Sequence, residues 1–187
     1  MANSPKVIAV GEIGLDYKPE YVSSKQKQKQ AFLKQLGLAK ELNLPVIFHC
    51  RMAHQDLIQT LQQSNIQTIK GVIHCFTGNW QDAQKYLDMG FYLGFNGIIF
   101  KNIEGINFEE NIKTTPLDKI LIETDCPYLT PPISVNQRLD QRKSAVIRNE
   151  PLYVKYVAEK IAQIKKISYE EISRVTTENA KKLFKIH

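Results

Sequence analysis

The sequence predicts an α/β fold around a parallel sheet, of the TIM-type (β/α)8 barrel class. Three observations lead there. Five short apolar runs alternate with longer stretches of helical period, and a parallel return between strands needs such a crossover. Polar residues sit at the C-terminal ends of four of these runs, where a barrel assembles its active site. The competing architecture, an open doubly wound sheet, usually carries a phosphate loop after an early strand, and neither GxGxxG nor a Walker signature occurs.

The elements follow in order. Lys6–Val10 reads as a buried strand that stops at Gly11-Glu12. From Ser24 to Leu42, Ala31, Phe32, Leu36, Ala39 and Leu42 recur at helical spacing. Pro45 opens the second strand, Val46–Cys50, and Asp56–Gln63 forms a helix with Leu57, Ile58 and Leu61 on one side. Gly71–Phe76 is the third strand, and Thr77 or Asn79 caps a helix over Trp80–Met89. Phe91–Gly94 and Ile120–Thr124 complete the strands. Helices are expected over Pro151–Ile164, Tyr169–Val175 and about Glu178–Lys185, the second opened by the capping box Ser168-Tyr169-Glu170-Glu171. The polar stretch Ser134–Arg148 has no period and reads as a long surface loop.

Composition bounds the rest. With 187 residues, one domain over 1–187 is expected, and 43% hydrophobic against 24% charged residues supports a core. That balance excludes wholesale disorder. No apolar run approaches the ~18 residues of a membrane span, and Met-Ala-Asn-Ser-Pro is not a secretory signal. Three cysteines without CxxC spacing argue against a disulfide framework, so the cytoplasm is the expected location. A net charge of +6 permits an anionic partner without demanding one.

The strand ends carry the chemistry. Val10-Gly11-Glu12, Phe48-His49-Cys50, Ile73-His74-Cys75 and Thr124-Asp125-Cys126 each place one metal-ligating side chain where an apolar run stops. Two histidines and two carboxylates suit Zn²⁺, Mn²⁺ or Mg²⁺. Such an ion serves attack by water on a poor electrophile. Alternation turns Cys50 and Cys75 away from His49 and His74, toward the helices, as small buried hydrophobes. It also sets Leu121, Glu123 and Asp125 on one face. Glu123 then reads equally as a partner or base of the site and as an ion-paired core residue. Arg51 reads equally as a phosphate clamp and as a surface salt bridge.

On these residues the chain resembles the TatD family of metal-dependent deoxyribonucleases, within the amidohydrolase-like barrels. The resemblance runs from Val7 to Phe184 through VGEIGLDY (Val10–Tyr17), LPVIFHCR (Leu44–Arg51), GVIHCFTGN (Gly71–Asn79), DMGFYLGFNGII (Asp88–Ile99), PLDKILIETDCPYLTP (Pro116–Pro131), RNEP (Arg148–Pro151) and TTENAKKLF (Thr176–Phe184). It implies that Glu12 bridges two metal ions and that His49 and His74 hold one of them. It implies further that Asp125 contacts the other ion and handles a proton of the attacking water.

Two departures qualify the match. The family opens on a His-x-His strand that this chain lacks, and five strands stand where a closed barrel of ~250 residues has eight. The expectation is therefore a barrel lacking about its first three βα units, with an exposed apolar interior and at most one tightly held ion. The connection 132–148 is also longer than the family's. The expected function is hydrolysis of DNA phosphodiesters, as an exonuclease. The alternatives are a D-aminoacyl-tRNA deacylase-type ester hydrolase and a catalytically inactive fragment or binding module. DNA or another nucleic acid is the expected partner.

Overall fold

Five parallel strands lie side by side in the order in which the chain makes them. The computed structural model describes residues 4–64, 68–132 and 148–186. The strands are β1 (Val10–Asp16), β2 (Val46–Arg51), β3 (Gly71–Ile73), β4 (Tyr92–Phe95) and β5 (Ile120–Ile122), and the sheet order is β1-β2-β3-β4-β5. Each neighbouring pair is parallel. The helices are α1 (Lys25–Glu41), α2 (His54–Gln63), α3 (Trp80–Asp88), α4 (Phe108–Thr114), α5 (Val154–Lys165) and α6 (Tyr169–Phe184). A doubly wound sheet reverses its strand order at a switch point, and this one does not.

Alternation gives the sheet two faces. Ile13, Leu15, Val46, Phe48, Cys50, Ile73, Leu93, Phe95 and Ile120 join one core with Phe32, Leu36 and Ala39 of α1, Leu57 and Leu61 of α2, Tyr86 of α3 and Ile161 of α5. The residues between them, Ile47, Val72, Tyr92 and Leu121, form a second cluster with Ala180, Leu183 and Phe184 of α6. Val72, Tyr92 and Leu121 are buried, so the expected exposure of this apolar face is not what the structure shows. The C-terminal helix covers it, anchored where the Asn179 side chain donates to the carbonyls of Leu117 and Ile120 at 3.0 and 2.9 Å.

Several boundaries differ from expectation for local reasons. The first strand begins at Val10 rather than Lys6, because pairing with β2 starts at Val10↔Val46 and Ile8 is exposed. It then continues past Gly11 to Asp16, so Glu12 lies inside a strand and not at its end. Strands β3 and β5 stop at Ile73 and Ile122, and beyond them Cys75 and Asp125 take the left-handed region, with φ of 46° and 55°. The two helices expected near the C-terminus are one, α6: Thr176 is buried and its hydroxyl donates to the Ile172 carbonyl at 2.8 Å, so the helix passes through. Helix α4, capped by Asn107, was not expected. Asn79 does cap α3, in a reciprocal capping box with Asp82. The surface loop expected over Ser134–Arg148 lies outside the described residues, apart from Arg148.

Candidate metal centre

The centre is built on β1 and β2. Ile13, Leu15 and Tyr17 are buried in the core, and Glu12, Gly14 and Asp16 take the other parity. A bulge between Gly11 and Ile13 leaves Glu12 outside the ladder. Gly14 pairs with His49, and a β-carbon there would lie 1.9 Å from the His49 carbonyl oxygen. With φ at +153°, this close approach of two backbones needs glycine.

His49 projects between the buried Phe48 and Cys50. His74 follows β3, buried, and its backbone N–H donates to the Phe48 carbonyl at 3.0 Å, which sets it beside His49. Glu12 Oε2 lies 3.6 Å from His49 Nδ1 and 3.6 Å from His74 Nε2. One ligand atom from each of Glu12, His49 and His74 falls within 4.8 Å of the others. Three tetrahedral ligands at 2.0–2.1 Å from one divalent ion stand about 3.4 Å apart, so this donor set fits one.

Asp125 is not in that trio. It lines the same cavity of about 640 Å³ as His49 and His74, at the start of a turn clamped by Asn149. The Asn149 side chain is buried and donates to the carbonyls of Thr124 at 2.7 Å and Tyr128 at 2.6 Å. Met52, Ile103, Ile106, Tyr128 and Leu129 supply apolar walls, with Lys18 and Arg51 also lining the cavity. Met52, Cys75, Asp125 and Leu129 on its lining all carry positive φ. Such strained backbone persists only where the surroundings hold it.

Arg51 spends its guanidinium on Asp16: Nε donates at 2.9 Å and Nη2 at 2.5 Å. Of its two sequence readings the salt bridge is the contact the structure contains. Glu123 is no surface group; it hydrogen-bonds His74 Nδ1 at 3.0 Å. Asp16 and Asn96, which support these residues, escaped sequence reasoning. The period of 2 from Glu12 to Asp16 was the available signal for one of them.

The electrostatics follow from packing. Burial opposes charge on His74, but the Glu123 hydrogen bond and the nearby carboxylates of Glu123, Glu12 and Asp125 outweigh it and hold the imidazole above its usual range. Burial raises Asp125; the charges of Glu123 and Glu12 add to this, and the histidines only partly offset it. Burial also works to raise Asp16, but Arg51 and the Lys18 N–H hold it low. Burial pushes the Cys50 and Cys75 thiols up to about 12, so neither offers a thiolate ligand at neutral pH. Both are free, with Cys50 in the helix-side core and the Cys75 sulfur 3.7 Å from Asn96 Oδ1.

Comparisons with known proteins give the chain a family. A sequence model of the family described as TatD related DNase matches residues 1–185. The chain is 46% identical over 183 residues to the uncharacterized metal-dependent hydrolase YabD of Bacillus subtilis, covering 97% of this chain and 67% of that one. It is 36% identical to the 3'-5' ssDNA/RNA exonuclease TatD of Salmonella typhimurium, covering 100% of this chain and 69% of the relative. The chain thus spans about two thirds of the length of the curated relatives it matches. Among solved structures, the TatD homolog YJJV of Escherichia coli superposes with a TM-score of 0.84 at 28% identity, covering 98% of this chain and 66% of that one. A TatD family hydrolase from Entamoeba histolytica gives 0.82 at 29% identity, covering 97% of this chain and 64% of that one. The chain belongs to the TatD-related DNase family of metal-dependent hydrolases.

Proposed function

We propose that this chain is a divalent-metal hydrolase of nucleic-acid phosphodiesters, acting on single-stranded DNA from an end. The observation that carries the reading is the trio Glu12, His49 and His74, each ligand atom within 4.8 Å of the others, whose two histidines line one cavity with Asp125. A divalent ion in this trio supplies water of lowered pKa and neutralises charge on the substrate oxygen. Zn²⁺, Mn²⁺ and Mg²⁺ all suit such donors, and the geometry offers one tight position.

The remaining roles belong to side chains. Glu12, His49 and His74 hold the ion. Asp125, with its carboxyl held above the usual range, accepts a proton from the attacking water and returns it to the leaving oxygen. Lys18 and the outer edge of the Arg51 guanidinium meet the phosphate, independently of sequence. The apolar walls take up the end nucleotide. The same reading takes the consecutively wound sheet as an arc of a (β/α)8 barrel. The test is digestion of a labelled single-stranded oligonucleotide with added Zn²⁺, Mn²⁺ or Mg²⁺. Stepwise shortening that His74→Ala abolishes supports the reading; an intact oligonucleotide with all three ions overturns it.

A further inference from the structure

Each histidine of the trio turns its second ring nitrogen to a different carboxylate. His49 faces Glu12 with Nδ1 and meets Asp16 Oδ2 with Nε2 at 3.3 Å. His74 does the reverse, facing Glu12 with Nε2 and meeting Glu123 Oε2 with Nδ1 at 3.0 Å. We infer that Asp16 and Glu123 are positioning residues that lock the two histidines in opposite tautomers, so that both aim a lone pair at the same point beside Glu12. This goes beyond the proposed hydrolase and rests on it only for the consequence in metal affinity.

The direction of every proton in this network is set by groups that can only donate. Around Glu123, the Cys75 backbone N–H donates to Oε1 at 2.6 Å and the Asn96 side-chain amide donates to the same oxygen at 3.1 Å. Asn96 is fully buried and cannot present its carbonyl instead, because that oxygen accepts from the Ile98 N–H at 2.9 Å. The Cys75 N–H and the Asn96 amide, itself oriented by the Ile98 N–H, therefore hold Glu123 as a pure acceptor. His74 must bring its proton to Nδ1 and leave Nε2 bare. Asp16 is fixed in the same way: its Oδ1 accepts from Arg51 Nε and from the Lys18 N–H at 3.1 Å, and its Oδ2 accepts from Arg51 Nη2. An arginine never accepts, so the proton shared with His49 lies on Nε2 and Nδ1 is bare.

Glutamine at position 123 separates this role from simple packing. Its one carbonyl oxygen would go to the position where Cys75 and Asn96 both donate, and its NH₂ would then face His74 Nδ1. That nitrogen would have to accept, and the proton would move to Nε2, the nitrogen aimed at Glu12. The experiment is ¹⁵N–¹H correlation of the histidine rings in the metal-free chain at alkaline pH, with Zn²⁺ affinity measured in parallel by competition with a chromophoric chelator. In the parent chain we expect His49 protonated on Nε2 and His74 on Nδ1. In Glu123→Gln we expect His74 to switch to Nε2–H and Zn²⁺ affinity to fall about 10–100-fold. The inference is overturned by both parent histidines sharing one tautomer, or by Glu123→Gln leaving the His74 tautomer and the affinity unchanged. If the variant does not fold, the parent spectra alone decide. A parent chain that binds no Zn²⁺ yet shows the two opposite tautomers would sink the hydrolase reading and leave this inference standing.

Discussion

At the scale of single residues, rarity decided what the sequence disclosed. Histidines and carboxylates next to apolar runs are unusual enough that Glu12, His49, His74 and Asp125 stood out. Asp16 and Asn96 are common residue types whose importance lies in what they touch, and those contacts cross 33 and 27 positions of sequence. Asp125 occupies the cavity without joining the trio, so its role is separable from theirs. Asp125→Asn should reduce hydrolysis by about 10²–10⁴-fold while leaving affinity for the tight ion within about threefold. Parallel turnover and metal titrations check this. His54 makes a different prediction. It is buried, with Nδ1 3.1 Å from the Tyr86 hydroxyl, and burial lowers its pKa although the charge of Asp82 works the other way. A histidine neutral in the fold costs nothing above its unfolded value of about 6.5. Below that value the unfolded chain takes up a proton that the folded chain refuses, so stability falls with pH at up to about 1.4 kcal/mol per unit. Denaturant unfolding between pH 7 and 5 should show this slope in the parent chain and a shallower one in His54→Gln.

At the scale of elements, periodicity located strands and helices well where packing and pattern agree. Helix α1 buries Phe32, Leu36 and Ala39 as its spacing implied. Strand ends were less legible, because Gly11 reads as a stop but serves as the start of a bulge. Nor does Cys75 look like a residue that leaves the extended region; its N–H donates to the Glu123 carboxylate at 2.6 Å, a contact far off in sequence. Helix α4 is only seven residues long, too short for a periodic pattern to declare itself. Gly14 shows how an element positions the site. Gly14→Ala drives a methyl into the His49 backbone, at an expected cost of about 1–3 kcal/mol, visible as a lower urea midpoint. Because the displaced strand carries both Glu12 and Asp16, metal affinity should fall with it.

At the scale of the whole molecule, the parallel sheet was legible from alternation of apolar runs and helical stretches, and the consecutive strand order agrees with it. What pattern could not disclose was the second use of α6. Its Leu183 and Phe184 pack with Val72, Tyr92 and Leu121, so a face expected to be bare is covered from the far end of the chain. Among the described residues, no helix is long and apolar enough to cross a membrane. The arrangement delivers Glu12, His49 and His74 from three adjacent strands to one point, and the central claim is that this point holds a divalent ion. The most direct measurement is metal content after exhaustive dialysis against buffer containing micromolar Zn²⁺, for the 187-residue chain and for its His49→Ala and His74→Ala variants. The account predicts one ion per parent chain and a loss of most of it in each variant. No retained ion in the parent, or full retention in both variants, would contradict it.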